Sequence, residues 1–245
     1  MIQFNPLISE LQSVLGENLK SVVLYGSAAA GDYLPGISGY DILIVVETAG
    51  AADLTALAAP LRRWQEKGNP LPQIFTRHEL AASADVFPIE LLDMQQSRRV
   101  LFGEDPLAHV KVDMPHYRIQ LERELKARLH LLRRQYLAAT PDETKIAQLL
   151  VASISTFLVL LRAALRLYND AVPPEKADAL SWLVEHVPFD AAPLREVMAM
   201  KTGGRPAEKK AIELFGRYLA SLEQVVWAVD RHLRPSTKES ETAHE

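Results

Sequence analysis

The chain of 245 residues contains no cysteine. That excludes disulfides, a thiol nucleophile and cysteine-bound zinc, and it fits a reducing compartment. Its first twenty residues lack a basic stretch followed by an apolar core, so no secretory signal is expected and the location expected is cytoplasmic. A strong charge of one sign is also missing: 27 Lys and Arg face 31 Asp and Glu, a net of −4. That balance argues against a basic nucleic-acid binder. The seven histidines form no His-x-x-x-His pair, and neither a Gly-x-Ser-x-Gly elbow nor a Walker-type Gly-Lys-Ser/Thr occurs. One long apolar run exists, residues 146–165, but Gln148, Ser153, Ser155, Thr156 and Arg162 interrupt it. It reads as a buried bundle helix, and no membrane partner is expected. Aromatic residues are few, and Trp64, Trp182 and Trp227 lie in apolar helical contexts that read as core.

With 48% hydrophobic residues there is ample apolar surface for a core. The chain has two grammars. Residues 1–109 hold 7 basic and 13 acidic side chains, a net of −6, in short apolar runs separated by turn residues. Residues 110–245 hold 20 basic and 18 acidic side chains in long stretches of helical spacing. The reading is an α+β fold: a small mixed-sheet domain over residues 1–109, an all-α helical bundle over 110–235, and a polar tail over 236–245. In the first part, helices are expected at 6–19 and 52–67, and strands at 21–27, 40–46, 71–77 and 87–94. A short helix separates the last two strands. In the second, helices are expected near 115–138, 142–168, 174–187, 191–201 and 206–233, with Thr140 and Glu143 as a capping box.

The sharpest local feature is residues 22–46, VVLYGSAAAGDYLPGISGYDILIVV. A strand ends in Gly26-Ser27, a glycine-rich turn follows, and the next strand opens near Asp41. A Gly-Ser turn offers backbone N–H groups and a hydroxyl to phosphate oxygens. An aspartate on the neighbouring strand suits Mg²⁺, a hard cation that takes carboxylate and phosphate oxygens together.

This segment resembles the signature of the DNA polymerase beta-like nucleotidyltransferase superfamily. That signature is a strand ending in Gly-Ser, a turn, then Ser-Asp-x-Asp opening an apolar strand; Gly26, Ser27, Ser38 and Asp41 fall on it. The superfamily's third carboxylate lies on a later strand, and FPIELLDM offers Glu90 for it. The following SRRVLFGEDPL is similar to aminoglycoside adenylyltransferases, which also join such a domain to a helical bundle. The resemblance implies Mg²⁺-dependent transfer of a nucleotidyl group, AMP from ATP, to a hydroxyl acceptor, aminoglycoside-like in the first instance. Gly26, Ser27 and Ser38 would hold phosphate, Asp41 and Glu90 would be catalytic and metal-binding, and Lys145 is a candidate phosphate contact. A cationic acceptor would be drawn to the acidic first part.

One departure bears on all of this. Gly39 stands where the signature has its first aspartate. Positions 39 and 41 share a strand face, so Gly39 removes one of two carboxylates that would share metal. The alternative is therefore a catalytically impaired member of the fold that binds a nucleotide or a protein partner. The partners expected are a nucleoside triphosphate and a hydroxyl acceptor, with a homodimer or a second protein left open.

Overall fold

Apolar β-branched runs at the start of the chain build the sheet on which everything else is arranged. The computed structural model describes residues 4–30, 39–169, 172–173, 176–203 and 210–232. The chain divides into two compact units, residues 1–117 and 118–245, the division falling within one helix.

In the first unit, helix α1 (Asn5–Leu15) and a single 3-10 turn lead into β1 (Leu19–Tyr25). The short α2 (Ser27–Ala30) follows, then β2 (Asp41–Val46), α3 (Ala51–Glu66), β3 (Gln73–Thr76), α4 (Arg77–Ala82), α5 (Pro88–Gln96) and β4 (Arg98–Gly103). The four strands run in the order β3-β2-β1-β4. β1 pairs antiparallel with β2 and β4, while β2 and β3 are parallel, as a crossover through α3 requires. The sheet is therefore mixed, in line with the α+β expectation.

Both faces of the central strands are covered, so β1 and β2 are apolar along nearly their whole length instead of alternating. Val22, Leu24, Ile42 and Ile44 pack with Leu11, Leu57 and Trp64 of α1 and α3. Val23, Leu43 and Val45 pack with Leu80, Leu91 and Met94 of α4 and α5 and with Leu107. Each fully buried Leu or Val side chain contributes about 1.5–3 kcal/mol of transfer free energy, so two covered faces make β1 and β2 the centre of the unit's stability.

One expected strand is a helix. The strand expected at residues 87–94 is instead α5, and the strand of that region is β4, just after it. Pro88 at the first helical turn lacks the N–H a sheet would need and carries a φ suited to helix entry. Leu91 and Met94, three residues apart, then both reach the core, a spacing a helix can satisfy and a strand cannot.

The second unit contains the rest of α6 (Met114–Ala139), α7 (Glu143–Leu165), α8 (Lys176–His186), α9 (Ala192–Lys201) and α10 (Ala211–Arg231). α7 packs against α8, α9 and α10. It is long and apolar enough to cross a membrane, yet Leu150, Ile154, Phe157 and Leu161 are buried within the unit. Its N-cap is Asp142, whose carboxylate accepts from the N–H groups of Thr144 and Lys145 at 3.0 and 3.1 Å. The expected Thr140–Glu143 box is absent because Glu143 caps a different helix, accepting from Ala211 and Ile212 N–H at 2.6 and 3.1 Å. Trp64 is core, but Trp182 and Trp227 are exposed, and the Arg231 guanidinium lies 4.5 Å over the Trp227 ring. Three cations of α6 are paired within this unit: Arg118 and Lys126 with Glu122, and Arg133 with Glu223 at 2.7 Å.

Candidate nucleotide site

At the end of β1 the chain turns sharply through Gly26, whose φ of +71° lies in the left-handed region that favours glycine. A Cβ at this position would stand 3.0 Å from Asp41 Oδ2. The glycine thus lets the Asp41 carboxylate lie directly over the turn. Its own N–H donates to Ser97 O at 3.1 Å, and its carbonyl accepts from Ala29 N–H at 3.0 Å. Gly26 therefore supplies room and backbone geometry, with its N–H already bonded.

Asp41 opens β2 and is paired in register with Tyr25, which is paired in turn with Arg98 on β4. Asp41, Tyr25 and Arg98 accordingly form a row across three strands. Arg98 is held away from any ligand role: its Nε donates to Asp105 Oδ2 at 2.9 Å. Burial pushes the Asp41 carboxyl above the usual carboxylate range. Burial, and next the Asp41 charge, push the Tyr25 phenol up to about 12. A half-buried carboxylate over a glycine turn is a group poised to take a proton, a hydrogen-bond donor or a cation.

A family model for the nucleotidyltransferase domain matches residues 7–80, a stretch that holds β1, the Gly26 turn and Asp41. Over those residues the chain matches the nucleotidyltransferase domain. Among solved structures, the chain is similar to spectinomycin adenyltransferase AAD(9) from Enterococcus faecialis, crystallised with ATP and spectinomycin. The two share 15% identity with a TM-score of 0.54, over 90% of this chain and 98% of that one. At that identity the likeness is one of fold, and it extends through the helical unit. No curated protein sequence matches the chain.

The nucleotidyltransferase domain does not carry its metal-binding residues as the resemblance implied. Of the residues in its four strands, Asp41 is the one carboxylate: β1, β3 and β4 have none. β3, the strand beside β2, reads Gln-Ile-Phe-Thr. Glu90, expected on a strand, is exposed in the first turn of α5. Position 39 is closed as well. A Cβ on Gly39 would come within 2.4 Å of Pro70 Cδ, so an aspartate there has no room. No group of three His, Asp or Glu residues among those described is arranged to hold an ion. The described residues therefore do not fit the paired-magnesium centre that the family implies.

The other expected site residues are placed as follows. Ser27 opens α2, and its hydroxyl lies outside what is described, as does Ser38. Lys145 belongs to α7 of the second unit, where its ammonium is 3.4 Å from Asp142 Oδ2. Tyr25 and Arg98 were missed by sequence reasoning. Period-two alternation from Val23 to Tyr25 was the available signal for the first; for Arg98 there was none, because its strand was not recognised.

Proposed function

We propose that this chain uses its nucleotidyltransferase domain to bind a nucleoside triphosphate, ATP in the first instance, and that paired-metal nucleotidyl transfer is impaired in it. The observation that carries this reading is the placement of Asp41 over the Gly26 turn as the sole carboxylate of the sheet, with Pro70 filling the place of a second. Backbone groups of the turn after Gly26 would meet phosphate oxygens, while Asp41, an anion on the adjacent strand, would meet the nucleotide through a cation or a hydrogen-bond donor between them. Transfer by two metal ions relies on carboxylates that hold both the attacking and leaving oxygens in place. Losing one costs orders of magnitude in rate.

The test is titration calorimetry of the full chain with ATP, with and without Mg²⁺, beside a radiolabel assay for AMP transfer to a panel of hydroxyl acceptors. Saturable ATP binding that weakens in Asp41→Ala, without turnover, supports the proposal. Absence of ATP binding by the native chain overturns it.

A second reading is transfer of AMP to a small hydroxyl-bearing acceptor, aminoglycoside-like in charge. It is favoured by the fold likeness to an adenyltransferase crystallised with ATP and spectinomycin, and by the net of −6 over residues 1–109. Turnover that Asp41→Ala abolishes would establish it in place of the first.

A further inference from the structure

A cavity of about 500 Å³ opens in the first unit at the far end of β1 from Gly26, bounded by Ser21, Val45, α4 and the segment that follows β4. Five residues of strand, at about 3.3 Å each, put Ser21 roughly 16 Å along the sheet from the Gly26 turn. Its volume is that of a site for a small organic molecule. The wall divides by chemistry. Val45 and Leu80 are buried members of the core under α4 and α5, and Val110 packs against that core, so this side is apolar. Lys20, Arg77 and Lys111 stand on the same wall and are cationic.

The acidic residues nearby do not cancel those cations. Lys20 Nζ and Arg77 Nε share one carboxylate oxygen of Glu47, at 3.6 and 4.0 Å. Asp105 on the wall is taken up by Arg98 and by the N–H of Leu107, the latter at 3.0 Å. Glu104 is the other wall carboxylate. Three cations therefore face Glu104 and a shared Glu47, an excess of positive charge inside a region whose net is −6. These cations give the cavity a local excess of positive charge that would draw an anionic group, while its apolar side offers contact to an apolar body.

We propose that this cavity is a second ligand site, separate from the Gly26–Asp41 end of the sheet, for a small organic anion. Its apolar body rests on Val45, Leu80 and Val110, and its carboxylate or phosphate meets Lys20, Arg77 and Lys111. The site does not depend on nucleotide binding at Asp41, so the two readings stand or fall separately.

The test is titration calorimetry of the full chain with octanoate, octyl phosphate and octan-1-ol. Both anions should bind saturably, and the alcohol, with the same body and no charge, about tenfold more weakly or worse. Tighter binding of octyl phosphate than of octanoate would assign a phosphorylated ligand, and the reverse order a carboxylate. Arg77→Ala and Lys111→Ala, both at exposed positions, should weaken anion binding several-fold and leave the alcohol unchanged. Ala81→Phe, on the exposed side of α4 where it lines the cavity, should abolish binding of all three, while Asp41→Ala should leave it intact. Equal affinity for anion and alcohol, or no saturable binding by the native chain up to about 5 mM, overturns the proposal without recourse to any variant. Survival of binding in a folded Ala81→Phe chain does the same.

Discussion

Replacing Gly39 with alanine should destabilise the first unit, and the size of the effect follows from one contact. The added Cβ would stand 2.4 Å from Pro70 Cδ and 3.4 Å from Pro70 Cγ. Carbon atoms pack best at about 3.5–4.0 Å, so the contact is short by more than about 1 Å. Pro70 is poorly able to recoil. Its carbonyl accepts from Trp64 Nε1 at 3.0 Å, and the preceding Asn69 donates to Trp64 O and accepts from Tyr40 N–H, at 3.2 and 3.3 Å. Trp64 itself is buried against Phe4 and Tyr40. Overpacking of this kind costs about 1–3 kcal/mol. The reduced freedom of the unfolded chain on replacing glycine returns about 0.4–1 kcal/mol, leaving a net loss of about 1–2 kcal/mol. For a unit near a hundred residues, at roughly 4–8 °C per kcal/mol, that lowers Tm by about 4–16 °C. Scanning calorimetry of Gly39→Ala, Pro70→Ala and the double variant measures it. The double variant should recover most of the loss, with a coupling of about 1 kcal/mol or more. A Gly39→Ala chain that melts with or above the native one, or a penalty unchanged in the Pro70→Ala background, would refute the reasoning. The same contact dictates how the missing carboxylate must be restored: Gly39→Asp needs Pro70→Ala beside it.

Three further outcomes are expected. The folded chain holds the Asp41 proton more tightly than the unfolded chain, so ionising it costs stability. That cost appears as pH rises from the ordinary value of 3.8 through the raised folded value. Asp41→Asn should therefore melt above the native chain at pH 7, with the gap closing toward pH 4, and thermal melts that show no gap at pH 7 would contradict this. Ser21→Ala, which removes a buried hydroxyl bonded to Phe102 O at 3.1 Å and Glu104 O at 2.7 Å, should cost about 1–2 kcal/mol in urea unfolding. Glu143→Ala removes the carboxylate cap of α10 and should cost about 0.5–2 kcal/mol, read from the unfolding of the helical unit.

The sequence by itself determined the identity of the central strands. Apolar β-branched runs ending in Gly26 and beginning at Asp41 leave few alternatives, because a strand covered on both faces must be apolar throughout. It also determined the helices of the second part, whose proline boundaries and apolar periodicity are local signals. Only the tertiary structure decided the rest. Residues 87–94 are apolar enough for either element, and what selects α5 is that Leu91 and Met94 meet the same core. Glu143 sits where a local cap is expected but reaches a helix 68 residues away, a choice no local window contains. The candidate site divides in the same way. Gly26, Asp41 and the missing aspartate at 39 are adjacent in the chain and legible there. That Pro70 occupies the space over Gly39, that no other strand brings a carboxylate to Asp41, and that Lys20, Arg77 and Lys111 surround one cavity depend on residues far apart in sequence, which only packing brings together.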